Sequence, residues 1–529
     1  MTKIIGTIVS GSLSEGFVMR VNPDTQLEEI KTGKFVSIIG NHHKFFSLVT
    51  DLTLEVTHPD ILLFPPTSEE KLLATTIKSK DMYATARLKP LLMLSCDNKP
   101  MPVKTIPYHF ARVSEATSED VAAIFGNENA HDRYFNIGNP LDMNTPVCLD
   151  LDRFTERSNG IFGKTGTGKT FLTRLVIAGL IKRDKAVNLI FDMHGEYGSQ
   201  ARQEGTSKGF VKGLKTLFGE KIAIFSLDPI STRRRGSAPD VEIMIGYESI
   251  HIEDILSLQE ELNLNPTAYE AAYLIAAKFK QEWLSKLLES GDSLKELSDK
   301  TGAHPESLAA LYRKLKIIER LPFFTKNSHS NVIDQMLEYI DQGISVIVEF
   351  GNFTSTFCYL LLANIITRRI HSAYIHKTEK FLGTHNIQDQ PKKLMITIEE
   401  AHKFLNPQAA RQTIFGTIAR EMRKYYVSLL VIDQRPSGIE PEIMSQIGTK
   451  IVAQLNDEKD IQAVLNGVSN AHHLRIVLAS LESKKQAMLL GHAVTMPIVI
   501  ETRTYDETFY QAMQGFAHKT FDELVNEIY

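Results

Sequence analysis

An α/β domain on a mostly parallel sheet, preceded by a small β-barrel and interrupted by an all-helical insertion, is the fold class predicted by three features of this 529-residue chain. Beyond about residue 150, short apolar strands alternate with longer helical patterns, the rhythm of a parallel sheet flanked by helices. Residues 1–115 instead show β-rich runs cut by Gly, Ser, Asn, Asp and Pro, the turn chemistry of an all-β unit. Between about 247 and 340 the alternation stops and only amphipathic helical spacing remains.

In chain order, Gly6–Ser10, Gly16–Val21, Lys34–Ile39 and Phe45–Thr50 are the barrel's first strands. Residues 116–150 turn polar and irregular and read as a linker or strap. The core is expected over 151–246 and 341–505. Its strands are Asn188–Phe191, Ile222–Leu227, Ser345–Phe350, Leu394–Ile398, Ser428–Ile432 and Lys450–Leu455, with a closing pair at Gln486–Leu490 and Ile498–Thr502. The insertion, 247–340, carries AYEAAYLIAAKFKQEWLSKLL and SLAALYRKLKIIERL, and a mixed tail occupies 506–529.

Composition narrows the class. At 43% hydrophobic and 23% charged residues the chain is ordinary globular material, which excludes collagen-like and disordered classes. Lys plus Arg number 59 and Asp plus Glu 63, so a polyanion must be met by a local basic surface. Cys96, Cys148 and Cys358 are too dispersed for a disulfide framework or a zinc site. No apolar run approaches the roughly 20 residues of a membrane span, so the expectation is a soluble, cytoplasmic protein with no membrane partner.

Gly163-Lys-Thr-Gly-Thr-Gly-Lys-Thr170 matches GxxxxGK[ST], with apolar Ile161-Phe162 before it and a helix pattern from Phe171 to Lys182 after it. Glycines let main-chain N–H groups curl around a phosphate, and the helix N-terminus adds positive potential. The candidate ATP-binding residues are therefore Gly163, Lys164, Thr165, Gly166, Thr167, Gly168, Lys169, Thr170 and Phe171. Lys169 reaches the β and γ phosphates, and Thr170 offers its hydroxyl to Mg²⁺. A hydrolase also needs acid at the end of a buried strand, which Leu394-Met-Ile-Thr-Ile-Glu-Glu-Ala-His402 supplies. Glu399 is assigned to the metal and Glu400 to the attacking water. Gln434, ending Ser428–Gln434, is a candidate to sense the γ phosphate or orient water. Asp192 in Phe191-Asp-Met-His-Gly-Glu-Tyr197 sits where ligands bind in such sheets, and His194, without ligand partners nearby, reads as structural.

Together, GKTGTGKT, FDMHGEY, IEEAHKFL and REMRKYYVSLLVIDQRPSGIEPEIMSQIGTKIVAQL, in this order, resemble the HerA family of HerA/FtsK-type motor ATPases over about residues 150–505. The β-rich start and the helical insertion also resemble that family's plan. The resemblance implies a RecA-like P-loop motor core, ATP and Mg²⁺ as cofactors, and a homo-hexameric ring that moves double-stranded DNA through its centre. Its implied partner is a NurA-like nuclease, or a sirtuin-like or nuclease defence effector, in DNA-end processing or antiphage defence. It further implies cations donated by the neighbouring subunit: Arg423 in Glu421-Met-Arg-Lys424, with Arg420 as alternative, and Arg157, a dozen residues before Lys169. Many family members have Asp-Glu where this chain has Glu399-Glu400, and water-mediated Mg²⁺ contact tolerates the extra methylene. The densest basic cluster, Arg233-Arg-Arg235, is a candidate DNA contact, with a solvated loop or subunit contact as its alternatives. Rival readings are a nucleotide-dependent scaffold or switch that organises an effector, and a ring ATPase acting on protein.

Overall fold

The computed structural model describes residues 3–63, 81–95, 100–141, 143–202, 210–256, 258–291, 293–326, 331–468, 471–482 and 485–514. Cys96 and most of the tail lie outside them. Two compact units emerge. One holds the described residues of Met1–Phe154, Ile161–Lys169 and Gly448–Thr504; the other holds those of Thr155–Gly160, Thr170–Ile447 and from Tyr505 onward.

In the first unit six strands close into an antiparallel barrel. Ile4–Ser12 pairs with Gly16–Val21 and Arg112–Glu115, Phe35–Ile39 lies between Arg112–Glu115 and Lys44–Val56, and Met82–Leu94 joins Lys44–Val56 back to Gly16–Val21. Closure leaves no open edge among these strands. Phe17, Met19, Val36, Ile38, Phe45 and Val113 fill the interior, each worth roughly 1.5–3 kcal/mol of burial.

Residues 116–150, expected as a linker, carry regular structure. The helix Ser118–Phe125 starts on a capping box in which Thr117 Oγ1 accepts from Asp120 N at 3.2 Å while the Asp120 carboxylate accepts from Thr117 N at 2.9 Å. Tyr134–Pro140 and Val147–Asp150 then pair antiparallel. Tyr134–Pro140 also pairs with Ile498–Thr502, and the run continues through Gln486–Gly491 to Thr449–Val452. Tyr134–Pro140 is hard to read locally because its second partner, Ile498–Thr502, lies more than 300 residues along the chain.

The second unit contains a parallel sheet in the order Val241–Glu242, Ile222–Ser226, Ser345–Glu349, Val187–Asp192, Leu394–Glu399, Val427–Asp433. Every residue of the last four is buried, which explains their unbroken apolar text. Register aligns Ser226 and Asp192 with Glu349, and Glu399 with Ile432, so the polar strand ends share one edge. The expected strands all appear, within two residues at their starts and three at their ends, except that Phe45–Thr50 runs six residues further, to Val56. Among its described residues the insertion has helices and connecting turns, with one strand, Phe324–Thr325, which pairs with Ile245–Gly246. Its helices Pro266–Phe279 and Pro305–Leu315 pack together, and buried Trp283 donates Nε1–H to Ile250 O at 2.8 Å. Among the described residues no helix is long and apolar enough to cross a membrane.

Candidate functional site

Strand Asn159–Phe162, the loop Gly163–Gly168 and helix Lys169–Lys182 form the strand–loop–helix order that phosphate binding needs. The loop is anchored in its own unit: Lys164 N donates to Gln454 O at 3.0 Å and Ala453 N to Phe162 O at 2.8 Å. Thr167 Oγ1 and Lys169 Nζ both donate to Lys164 O, at 2.7 and 3.0 Å, which draws the lysine across the loop. Gly166 and Gly168 have φ of +78° and +88° with open space where a Cβ would lie, so conformation rather than crowding demands glycine there. At Gly163 the reason is the reverse: a Cβ would fall 2.7 Å from Thr167 Oγ1 and 2.9 Å from the Ala453 Cβ.

In the second unit the Thr170 hydroxyl donates to Glu196 Oε2 at 2.8 Å. Glu196 was not singled out from the sequence, yet it is the acid of its segment that touches the loop's threonine. Asp192, which was, is fully buried and spends Oδ1 on Glu196 N and Oδ2 on Tyr197 N, each at 2.8 Å. Its role in the structure is to fold the turn that presents Glu196. The signal lay in the spacing: an acid at a strand end and another four residues on. Buried Arg174 reinforces the turn by donating to Glu196 O, and its guanidinium lies 5.4 Å over the ring of Phe171, which is half-buried against Tyr505. His194 is exposed, and no cluster of potential metal-binding His, Cys, Asp and Glu occurs among the described residues.

The two glutamates diverge. Glu399 turns inward, where Oε1 accepts from the Tyr197 hydroxyl at 2.8 Å and its backbone meets the Tyr359 hydroxyl. Oε2 is buried with no hydrogen-bond partner. Burial first, and then the charges of Asp192, Glu196 and Glu400, push the Glu399 carboxyl up to about 8. Burial raises Asp192 and Glu349 as well. An orphaned carboxylate oxygen within a crowd of acids fits a divalent cation, whose charge reverses this shift. Glu400 has φ +50°, a left-handed conformation that costs a non-glycine residue on the order of 1–3 kcal/mol. The chain thereby leaves the strand and keeps the Glu400 carboxylate partly exposed, 3.3 Å from Gln434 Nε2 at both oxygens. His402, whose Nδ1 lies 3.0 Å from buried Asp433, is raised by that contact and sits 3.8 Å from Glu400.

Arg157 lies elsewhere. With Thr155, Lys393, Arg420, Tyr426 and Ser428 it lines a cavity of about 330 Å³ where the strands Leu394–Glu399 and Val427–Asp433 begin. Glu400 and Gln434 follow the ends of those strands, about 20 Å away at roughly 3.3 Å per residue. Arg157 is exposed, whereas Arg420 is tied to Ala410 O at 3.2 Å and Glu442 at 3.4 Å. The Arg423 side chain lies outside the described residues. The basic cluster is split: Arg233 and Arg234 face outward on the helix Pro229–Arg234, while Arg235 turns inward to Glu349.

Residues 135–370 match the family model described as "Helicase HerA, central domain", and residues 5–91 match the HAS barrel domain. The chain is similar to the DNA double-strand break repair helicase HerA of Saccharolobus solfataricus, at 23% identity covering 95% of this chain and 93% of that one. It is also similar to the protein of the same name from Pyrococcus furiosus, at 23% identity over 76% and 74% of the two chains. Among solved structures, VirB4 of Thermoanaerobacter pseudethanolicus aligns with a TM-score of 0.46 at 14% identity, covering 71% of this chain and 98% of that one.

Proposed function

Since the chain belongs to the HerA/FtsK-like superfamily of P-loop ATPases, we propose that it works as a homo-hexameric ring that spends ATP to move double-stranded DNA. The observation that carries this reading is the separation of half-sites: phosphate-loop threonine and acids at one edge of the parallel sheet, a cation-lined cavity at the other. One chain cannot close a gap of about 20 Å between its own Arg157 and Glu400, but a ring of copies sets each arginine against its neighbour's nucleotide.

In this reading Gly163–Thr170 cradles the phosphates with Lys169. Thr170 and Glu399 would hold Mg²⁺, with Glu196 fixing the Thr170 hydroxyl. When bound, the ion neutralises charge on the β and γ phosphate oxygens. Glu400 takes the proton of the attacking water, and Gln434, held against it, orients that water. Arg157 and Arg423 of the adjoining subunit stabilise the transferring phosphoryl group. A positively charged channel suits a motor that grips phosphates rather than base edges. Relatives named for double-strand break repair favour a setting in DNA-end processing, for which the proposed partner is a NurA-like nuclease; a sirtuin-like or nuclease effector in antiphage defence is the alternative setting proposed for the same motor.

ATP hydrolysis measured with and without linear duplex DNA tests the proposal. Stimulation by duplex is expected. Equal rates in both conditions would overturn the translocase reading in favour of a scaffold or a protein substrate.

A further inference from the structure

Arg235 spans two parts of the second unit, the helix Pro229–Arg234 and the turn after Asp192. Its Nη2 donates to Glu349 Oε2 at 3.2 Å, where the Thr232 hydroxyl also donates at 2.8 Å. The guanidinium lies over Gly195: a Cβ there would fall 1.4 Å from Nη1, so only glycine, at φ +69°, admits it. Gly195 precedes Glu196, the partner of Thr170. On the other side, the helix Pro229–Arg234 is pinned to the end of strand Ser345–Glu349, where Asn352 Nδ2 donates to Asp228 at 2.6 Å, and it presents Arg233 and Arg234 outward. The Arg233 contact to Glu242 at 3.2 Å joins two exposed side chains, a pair weak enough to exchange for a phosphate.

The Arg235–Glu349 contact is incomplete. Arg235 Nε and Glu349 Oε1 are both buried and without hydrogen-bond partners, so the pair stands one step short of the two-pronged geometry that arginine and carboxylate prefer. The one side chain thus meets both the Glu349 carboxylate, where the Thr232 hydroxyl of the helix also binds, and Gly195 in the nucleotide-site turn.

We propose that Arg233-Arg-Arg235 couples the nucleotide site to a phosphodiester backbone, with Arg233 and Arg234 receiving the phosphates and Arg235 acting as the positioning residue that carries the change to Glu196. The proposal rests on the duplex-DNA reading above. Coupling of this kind is reciprocal, so duplex changes nucleotide affinity by the factor by which nucleotide changes duplex affinity.

Binding of a fluorescent, slowly hydrolysed ATP analogue to the full chain, with and without linear duplex, reads that factor. The wild-type ratio of dissociation constants is expected to differ from one by about 5–150-fold. In Arg235→Ala it falls to within about twofold of one, although nucleotide and duplex each still bind. Arg235→Lys, which keeps the charge but loses the fork, behaves alike and carries the test should Arg235→Ala fail to fold. Wild-type coupling retained in these variants overturns this inference alone, whereas a wild-type ratio of one overturns the duplex reading beneath it.

Discussion

At the edge where the parallel strands end, Asp192, Glu349, Glu399 and Asp433 are buried close together, whereas at the edge where the same strands begin, Arg157, Lys393 and Arg420 line a cavity. The acidic edge is pre-built: Asp192, Tyr197, Tyr359 and Gln434 fix its groups, and its excess of negative charge is what a magnesium–nucleotide complex relieves. The basic edge is only partly built, since Arg157 is exposed there. On the proposed reading it serves a neighbouring copy, so turnover depends on assembly and each half can be broken separately.

The largest effect is expected at the basic edge. Arg157→Ala should lower kcat by about 10³–10⁵-fold, the range of a lost arginine finger, while nucleotide binding to the isolated chain persists; steady-state hydrolysis beside fluorescence binding checks both. At the acidic edge Glu400→Gln keeps ATP bound and lowers hydrolysis by about 10²–10⁴-fold, the usual worth of general-base catalysis. Normal turnover in that variant would reject its assignment.

A smaller change is expected at Glu196, which acts through Thr170. Glu196→Gln should raise the Mg²⁺ concentration needed for half-maximal hydrolysis by about 10–100-fold, the effect of losing an outer partner of a metal ligand. Restoration of the rate by excess Mg²⁺ distinguishes this from a folding defect.

The smallest is a stability effect. With EDTA and no nucleotide, Glu399 in the folded state keeps its proton up to about pH 8, against an ordinary value of 4.5. Its favourable contribution is complete below pH 4.5 and is lost as pH rises through 8, because the unfolded chain ionises first. Tm should therefore fall along that limb, and Glu399→Gln should flatten it by a few degrees. A Tm–pH profile identical to wild type would show that Glu399 is ionised throughout.

The acidic edge was the more legible in sequence. A phosphate loop and glutamates closing a fully buried strand are local signals, and so were the strand boundaries, because a sheet covered on both faces demands unbroken apolar runs. Three things escaped. The capping box at Thr117 and strand pairings across the chain gave form to residues that read as a linker. The choice between Asp192 and Glu196 depends on a turn whose backbone claims the aspartate. The inward course of Arg235 depends on an absent Cβ at Gly195, which no charge count reveals.

Complementation within mixed rings addresses the divided site most directly. Lys169→Ala subunits lack the cradle and Arg157→Ala subunits lack the donated cation, so neither alone should hydrolyse ATP. Equal mixing places an intact cradle against an intact arginine at about a quarter of the interfaces of a random ring, and hydrolysis should reappear in that proportion. Rings shown by mass to contain both subunits, yet as inactive as their parents, would contradict the account.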